Sequence, residues 1–190
     1  MPDYDKYAEH QDFHWRAYRG GGIYSDHARK VREWIGEHRV LDVGGGDGLI
    51  AALLQQKGHE VMVVDDNALA VGYATRHGVP AQLGSAYATS GRWDAVYCGD
   101  TLEHLEWPRS ALRRFRRVTD VLYVATPPRT GGLRDHRHTQ EWTPAELTRL
   151  LRRCGWQETS SEVANERILS RSVKRPAWWR RCLSAGFRSS

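Results

Sequence analysis

The chain has 190 residues, 40% of them hydrophobic and 27% charged, with a formal net charge of +5 and a pI near 9.3. That length suits one α/β domain with a real core; no run of 18 or more apolar residues argues for a membrane span, and the acidic opening "MPDYDKYAEH" does not read as a secretory leader, so a soluble, cytoplasmic protein is expected. Cys98, Cys154 and Cys182 form no C-x-x-C pair that could clasp zinc, and they suit a reducing compartment.

Residues 1–24 are polar and aromatic, broken by "RGGG", and read either as a glycine-hinged lid or as helices that only pack on the domain. A helix is expected from about Ser25 to Gly36. "RVLDVGG" then predicts a buried strand and "DGLIAALLQQKG" a helix with a glycine stop. "EVMVVDD" predicts a second strand, and "NALAVGYATRHG" a second helix opened by an Asn cap. "VPAQLGS" and "RWDAVYCGD" continue as strands three and four. "PRSALRRFRRV" starts a helix on Pro, its arginines forming a solvated face around core Leu112 and Phe115. "DVLYVATPP" is a fifth strand halted by prolines, and "TPAELTRLLRRCG" is a helix with a Thr cap. "WQETSSEV" and "RILSRSV" predict a hairpin turning about Ala164 and Asn165. Alternating strands and helices imply an α/β, doubly wound sheet, mostly parallel with a C-terminal antiparallel hairpin.

In such a sheet ligands bind at the carboxyl ends of the strands, where "DVGGGDG" lies. Gly44, Gly45, Gly46 and Gly48 let backbone amides approach a ligand closely. Asp42 puts a carboxylate beneath that loop, where a pyrophosphate is repelled and a cationic ligand is favoured. Asp65 ends the second strand at the distance expected of an acid that grips ribose hydroxyls. An adenosine carrying positive charge is the implied ligand.

On "VLDVGGGDG", "VMVVDD", "WDAVYCGDTLEHLEWP" and "LYVATPP" with the segment after it, the chain resembles the class I S-adenosylmethionine-dependent methyltransferases over about residues 25–165. It is similar in particular to small-molecule O-methyltransferases of the ubiquinone-pathway type. The resemblance implies a Rossmann-like fold and S-adenosylmethionine as cofactor. It implies that Asp42 and the loop hold the methionine part, Asp65 the ribose, and Asp66 and Asn67 the adenine edge. Where the family usually carries an acid after the third strand, this chain has Ser85, so adenine recognition there is expected to involve Ser85 or the backbone of Ala86. Asp100, at the end of the fourth strand, is assigned to the cofactor site as well.

The candidate chemistry lies in "DTLEHLEWP" and "RDHRHTQEW". His104 is the first choice of general base, with Glu103 beside it and His138 on the loop expected to overhang the acceptor; His136 is a weaker neighbour. D-x-x-E-H also resembles the E-x-x-E-H of the ubiquinone-pathway enzymes, which implies a divalent cation at Asp100, Glu103 and His104 as an alternative. A third reading leaves Glu103 and His104 merely ordering the turn. A joint acceptor site of His104, His138, Tyr18 and Tyr24 is expected. "TPPR" follows the wrong strand for base-amino methylation and reads as a rigid turn.

After Glu166 the chain has seven cationic residues and no acid, which leaves residues 1–166 at a net charge of −2. The tail from residue 174 to 190 mixes those cations with Trp178, Trp179 and Phe187, a combination able to meet nucleic acid or an anionic membrane surface, though a poorly ordered terminus, or one whose tryptophans tuck against the domain, is favoured. The domain itself is placed at 25–173. The expected activity is methyl transfer to a hydroxyl of a small-molecule or glycan-like acceptor. RNA methylation through the tail and a non-catalytic cofactor-binding module remain as alternatives.

Overall fold

Apolar residues on both sides of each central strand commit the sheet to helices on both faces. The structure, a computed structural model, describes residues 6–129 and 137–176. Strands β1 (Arg39–Val43), β2 (Glu60–Asp65), β3 (Ala81–Leu83), β4 (Ala95–Gly99) and β5 (Val121–Thr126) are parallel. With β6 (Trp156–Ala164) and β7 (Arg167–Lys174) they form one seven-stranded sheet ordered β3-β2-β1-β4-β5-β7-β6. β7 runs antiparallel to both β5 and β6. The expected doubly wound, mostly parallel sheet with a C-terminal hairpin is therefore present. Its order reverses between β1 and β4, which opens the crevice where α/β sheets bind ligands.

Strand alternation assigns the two cores. Val40, Val63, Ala95, Tyr97 and Tyr123 face α3 (Ile23–Trp34) and α4 (Leu49–Gln56). Leu41, Val96, Cys98, Leu122 and Val124 face α6 (Pro108–Val118) and α7 (Pro144–Arg153). On that second face Phe115 and Trp156 are fully buried, each worth about 2–3 kcal/mol of transfer free energy. Leu112 is buried too, and Arg113 and Arg117 are exposed, the solvated arginine face expected of α6.

Caps set the helix starts. The Asn67 carboxamide accepts from the amides of Leu69 (2.9 Å) and Ala70 (3.1 Å) to open α5 (Ala68–Arg76). Thr143 and Glu146 form a reciprocal capping box on α7. Two boundaries differ from expectation. α3 begins at Ile23 and ends at Trp34, because Gly22 takes the positive φ of 82° at its start and Ile35 is already extended as it enters the core. The hairpin turns on Asn165 and Glu166, with φ of 49° and 60°, one residue later than the sequence implied and in the left-handed pair that matches strand twist.

The N-terminal stretch folds as α1 (Lys6–His10) and α2 (Phe13–Gly20), joined to α3 through Gly21 and Gly22. β7 extends through Lys174, which pairs with Asp120. The basic tail after residue 176, including Trp178, Trp179 and Phe187, lies outside the described residues, as does His136. Among the described residues no helix is long and apolar enough to cross a membrane.

Candidate functional site

The loop from Gly44 to Gly48 joins β1 to α4 at the carboxyl edge of the sheet. Gly44 has φ of 73°, and a side chain there would collide with Thr101, whose hydroxyl donates to the carbonyl of Gly99 (2.9 Å). A Cβ on Gly45 would stand 2.7 Å from the carboxyl carbon of Asp42. The loop is thus bare because β4's end and the Asp42 carboxyl lie directly against it.

Asp42 is 1% exposed, and its Oδ2 has no hydrogen-bond partner among the described residues. Burial, reinforced by the charge of Asp65, raises its pKa to about 8. An orphaned buried carboxyl under a glycine loop fits a ligand that brings a cation. Asp65 is oriented from both sides: its Oδ2 accepts from Gly46 N and its Oδ1 from Asn67 N, each at 2.9 Å. Burial raises its pKa, and those two bonds oppose the rise. Asp66 is exposed beside it. The Asn67 side chain is engaged as the α5 cap, its amide donates to Asp65, and its carbonyl accepts from Val71 N (3.1 Å). Ser85 likewise accepts from Tyr87 N (3.2 Å), which opens the 3₁₀ turn over Ala86–Ala88.

The sequence reading passed over Asp47, which is fully buried between Gly46 and Gly48. Its Oδ2 accepts from the amide of His14 (2.8 Å) and its Oδ1 lies 3.0 Å from His14 Nδ1. Trp15 Nε1 donates to the Asp47 carbonyl (3.0 Å), and the Trp15 ring stacks on His77 at 4.1 Å. With Nδ1–H directed at Asp47, His14 Nε2 accepts from the Lys6 ammonium at 3.1 Å. Burial lowers the pKa of Lys6, against the pull of Asp47, Asp100 and Asp65. The N-terminal helices are therefore fastened to the glycine loop itself. An acid placed between two loop glycines, with a His-Trp pair upstream, was the available signal.

Behind the loop lies a cavity of about 50 Å³ lined by Lys6, Tyr24, His27, Asp42, Tyr97 and Asp100, among others. Asp100 has φ of 46°, and its carboxylate receives Arg167 Nε (3.0 Å) and Nη2 (2.9 Å). Tyr24 lines this cavity, whereas Tyr18 packs on the core beside α3.

Glu103, His104 and His138 converge at the other end of the edge, their ligand atoms all within 4.8 Å of one another. Of the expected trio, Glu103 and His104 belong to this group, and Asp100 is paired with Arg167 (2.9 Å). Glu103 is fully buried; its Oε2 accepts from Thr126 Oγ1 (2.9 Å) and its Oε1 has no partner. Burial, with help from Asp100, raises its pKa to about 8. His104 Nδ1 donates to the carbonyl of Arg137 (3.1 Å), and burial lowers its pKa. His138 Nδ1 donates to Glu141 Oε1 (2.7 Å), and the two imidazoles meet edge-on at 5.0 Å. With Nδ1–H so committed, Nε2 is the nitrogen that remains to accept in each neutral ring.

Three comparisons bear on this geometry. The family described as a methyltransferase domain matches residues 25–161. The ubiquinone biosynthesis O-methyltransferase of Alkalilimnicola ehrlichii is 33% identical over 90 residues, covering 42% of this chain and 36% of that protein. The enzyme of the same name from Azoarcus sp. is 35% identical over 96 residues, covering 42% of this chain and 41% of that one. The chain thus spans about two fifths of the length of the curated relatives it matches. Magnesium protoporphyrin IX methyltransferase from Synechocystis PCC 6803, solved with bound SAH, shares the fold with a TM-score of 0.72, at 19% identity over 89% of this chain and 97% of that one. With the strand order, the bare loop beside a buried acid and a family match across most of its length, the chain belongs to the methyltransferase domain family.

Proposed function

We propose that the protein is an S-adenosylmethionine-dependent methyltransferase acting on a hydroxyl of a small-molecule or glycan-like acceptor. The observation that carries the cofactor reading is Asp42, a buried carboxyl with an unpartnered oxygen against Gly45. S-adenosylmethionine, when bound, supplies a methyl group on a sulfonium for in-line displacement. Asp42 meets the ammonium of its amino-acid end, Asp65 the ribose hydroxyls, and Asp66, Asn67, Ser85 and Ala86 line the adenine edge. Residues 1–24 act as a lid, fastened by His14 and Trp15 to Asp47. Relatives named for O-methylation of a ubiquinone precursor support a hydroxyl acceptor.

His104 is the proposed general base. Its Nδ1–H is committed to a carbonyl and its pKa is lowered, so at neutral pH the ring is uncharged with Nε2 ready to take the hydroxyl proton. His138 orients the acceptor beside it, and Glu103 fixes the turn. A second reading is favoured by the convergence of Glu103, His104 and His138: a divalent cation held there lowers the hydroxyl's pKa instead. Both readings use His104 Nε2, so they exclude each other, and turnover that survives chelation supports the base. Loss of transfer with retained cofactor binding would leave the non-catalytic module.

The deciding measurement is calorimetric titration with S-adenosylhomocysteine and, separately, NADH. Saturable binding of the first alone is expected, weakened roughly 100-fold by Asp65→Ala, as for loss of charge-assisted bonds to a diol. Binding of neither, or of NADH, overturns the reading.

A further inference from the structure

His27 sits on α3 one turn after Tyr24, is 2% exposed, and lines the cavity that Asp42 also lines. Its Nδ1 has no hydrogen-bond partner among the described residues, and neither has Asp42 Oδ2. The other charged groups of that cavity are engaged: Lys6 with His14, and Asp100 with Arg167. The two residues that carry these orphaned polar atoms therefore line one small space, one from a helix and the other from a strand. Native interiors rarely leave such atoms unpaired, since each forfeits its hydration without return.

The space is small, about 50 Å³, and can hold a small polar group. Both groups can accept from a cationic donor: Asp42 by giving up its own proton as the cation binds, His27 as a neutral imidazole. Burial holds His27 uncharged, with its pKa lowered to about 4, despite the upward pull of Asp100; Arg167 opposes that pull.

We infer that His27 is a cofactor-positioning residue that, together with Asp42, receives the α-ammonium of the cofactor's amino-acid end. This rests on the cofactor reading above and adds a residue on α3 to it. The ammonium donates one N–H to each orphaned atom, and the imidazole remains neutral throughout. His27 is therefore retained for binding against its own cost to the ligand-free fold.

The test compares two ligands on the full chain by calorimetry: S-adenosylhomocysteine, which carries the amino-acid end, and methylthioadenosine, which lacks it. For His27→Leu the homocysteine ligand is expected to bind roughly 10- to 100-fold more weakly, as for loss of one bond to a charged group, with methylthioadenosine unchanged. His27→Gln, whose carbonyl still accepts, should restore most of the affinity. Ligand-free His27→Leu should melt no lower than the wild type, which a merely structural histidine would not allow. In the wild type, the His27 nitrogen NMR signal should move on adding S-adenosylhomocysteine and stay put on adding methylthioadenosine. Equal weakening of both ligands by His27→Leu, or no weakening of either, overturns the inference while leaving the cofactor reading intact. A wild type that binds neither ligand overturns both.

Discussion

The carboxyl edge of the sheet has two halves that use their acids differently. On the β1 and β2 side, Asp42 keeps a buried oxygen unpartnered, and Asp65 is aimed by two backbone amides. On the β4 and β5 side, Asp100 is closed off by Arg167, while His104 and His138 are each tied by Nδ1 to the loop that follows β5. One half is charged to receive a cation from outside. The other is braced by the chain itself, though Glu103 Oε1 is a buried acceptor with no partner among the described residues. A substitution in the first half should therefore be read in ligand affinity, and one in the second in turnover or stability.

The largest expected effect is that of Asp42→Asn. Losing a carboxylate that meets an ammonium should weaken S-adenosylhomocysteine roughly 100-fold by calorimetry. The ligand-free protein should show the opposite sign. A carboxyl whose folded pKa is raised to about 8 binds its proton more tightly folded than unfolded, so its stabilising contribution is complete below the unfolded value near 4 and disappears as pH rises through 8. Thermal melts of the wild type should thus fall across that window, and Asp42→Asn should flatten part of the fall. Glu103, also raised to about 8, and Asp65, raised by burial, contribute in the same direction. A slope identical in the variant would erase the distinction drawn for the first half.

How far this was legible follows from what sequence periodicity reports. Alternation along "RVLDV" and "EVMVVD" tells which side chains enter each core, and an acid interrupting a buried strand marks Asp42 before any coordinates exist. The order of strands follows from connection rules, and caps at Asn67 and Thr143 announce their helices. Periodicity is silent on which polar groups consume one another at a shared edge. Asp100 and Arg167 are 67 positions apart, and His14 and Asp47 are 33 apart. Both pairs arise only because the sheet order brings β7 beside β5 and the N-terminal helices over the loop. For the same reason periodicity does not announce that His138 comes beside Glu103 and His104.

A smaller effect is expected at the fastening between the halves and the N-terminal helices. His14→Ala leaves the Asp47 carboxylate buried with one bond fewer, a loss of about 1–2 kcal/mol of stability. Because the amide of His14 still reaches Asp47, the helices should loosen rather than detach. Dissociation of S-adenosylhomocysteine should accelerate about 10-fold in stopped flow, the rate equivalent of that loss, with hydrogen exchange rising over residues 6–20. Unchanged dissociation would mean that the helices pack on the domain without covering its ligand, the alternative reading of the N-terminal segment.

The smallest effect belongs to Glu103→Gln, and it separates the halves most cleanly. With its pKa at about 8, Glu103 is mostly protonated at neutral pH, so a carboxamide of the same shape can still accept from Thr126. The melting temperature at pH 7 should shift by no more than the equivalent of about 0.5 kcal/mol. Above pH 8 the sign is fixed: the wild type must carry a buried carboxylate that the variant lacks, so the variant should be the more stable of the two. Saturating S-adenosylhomocysteine should repair the alkaline loss traced to Asp42, because the ligand's ammonium binds the ionised carboxylate, and it should leave the loss traced to Glu103 in place. If the ligand removed both, Glu103 would belong to the same site as Asp42. If a divalent cation removed the Glu103 loss instead, the carboxylate would have found its charge partner between His104 and His138, and the general-base role of His104 would give way to coordination.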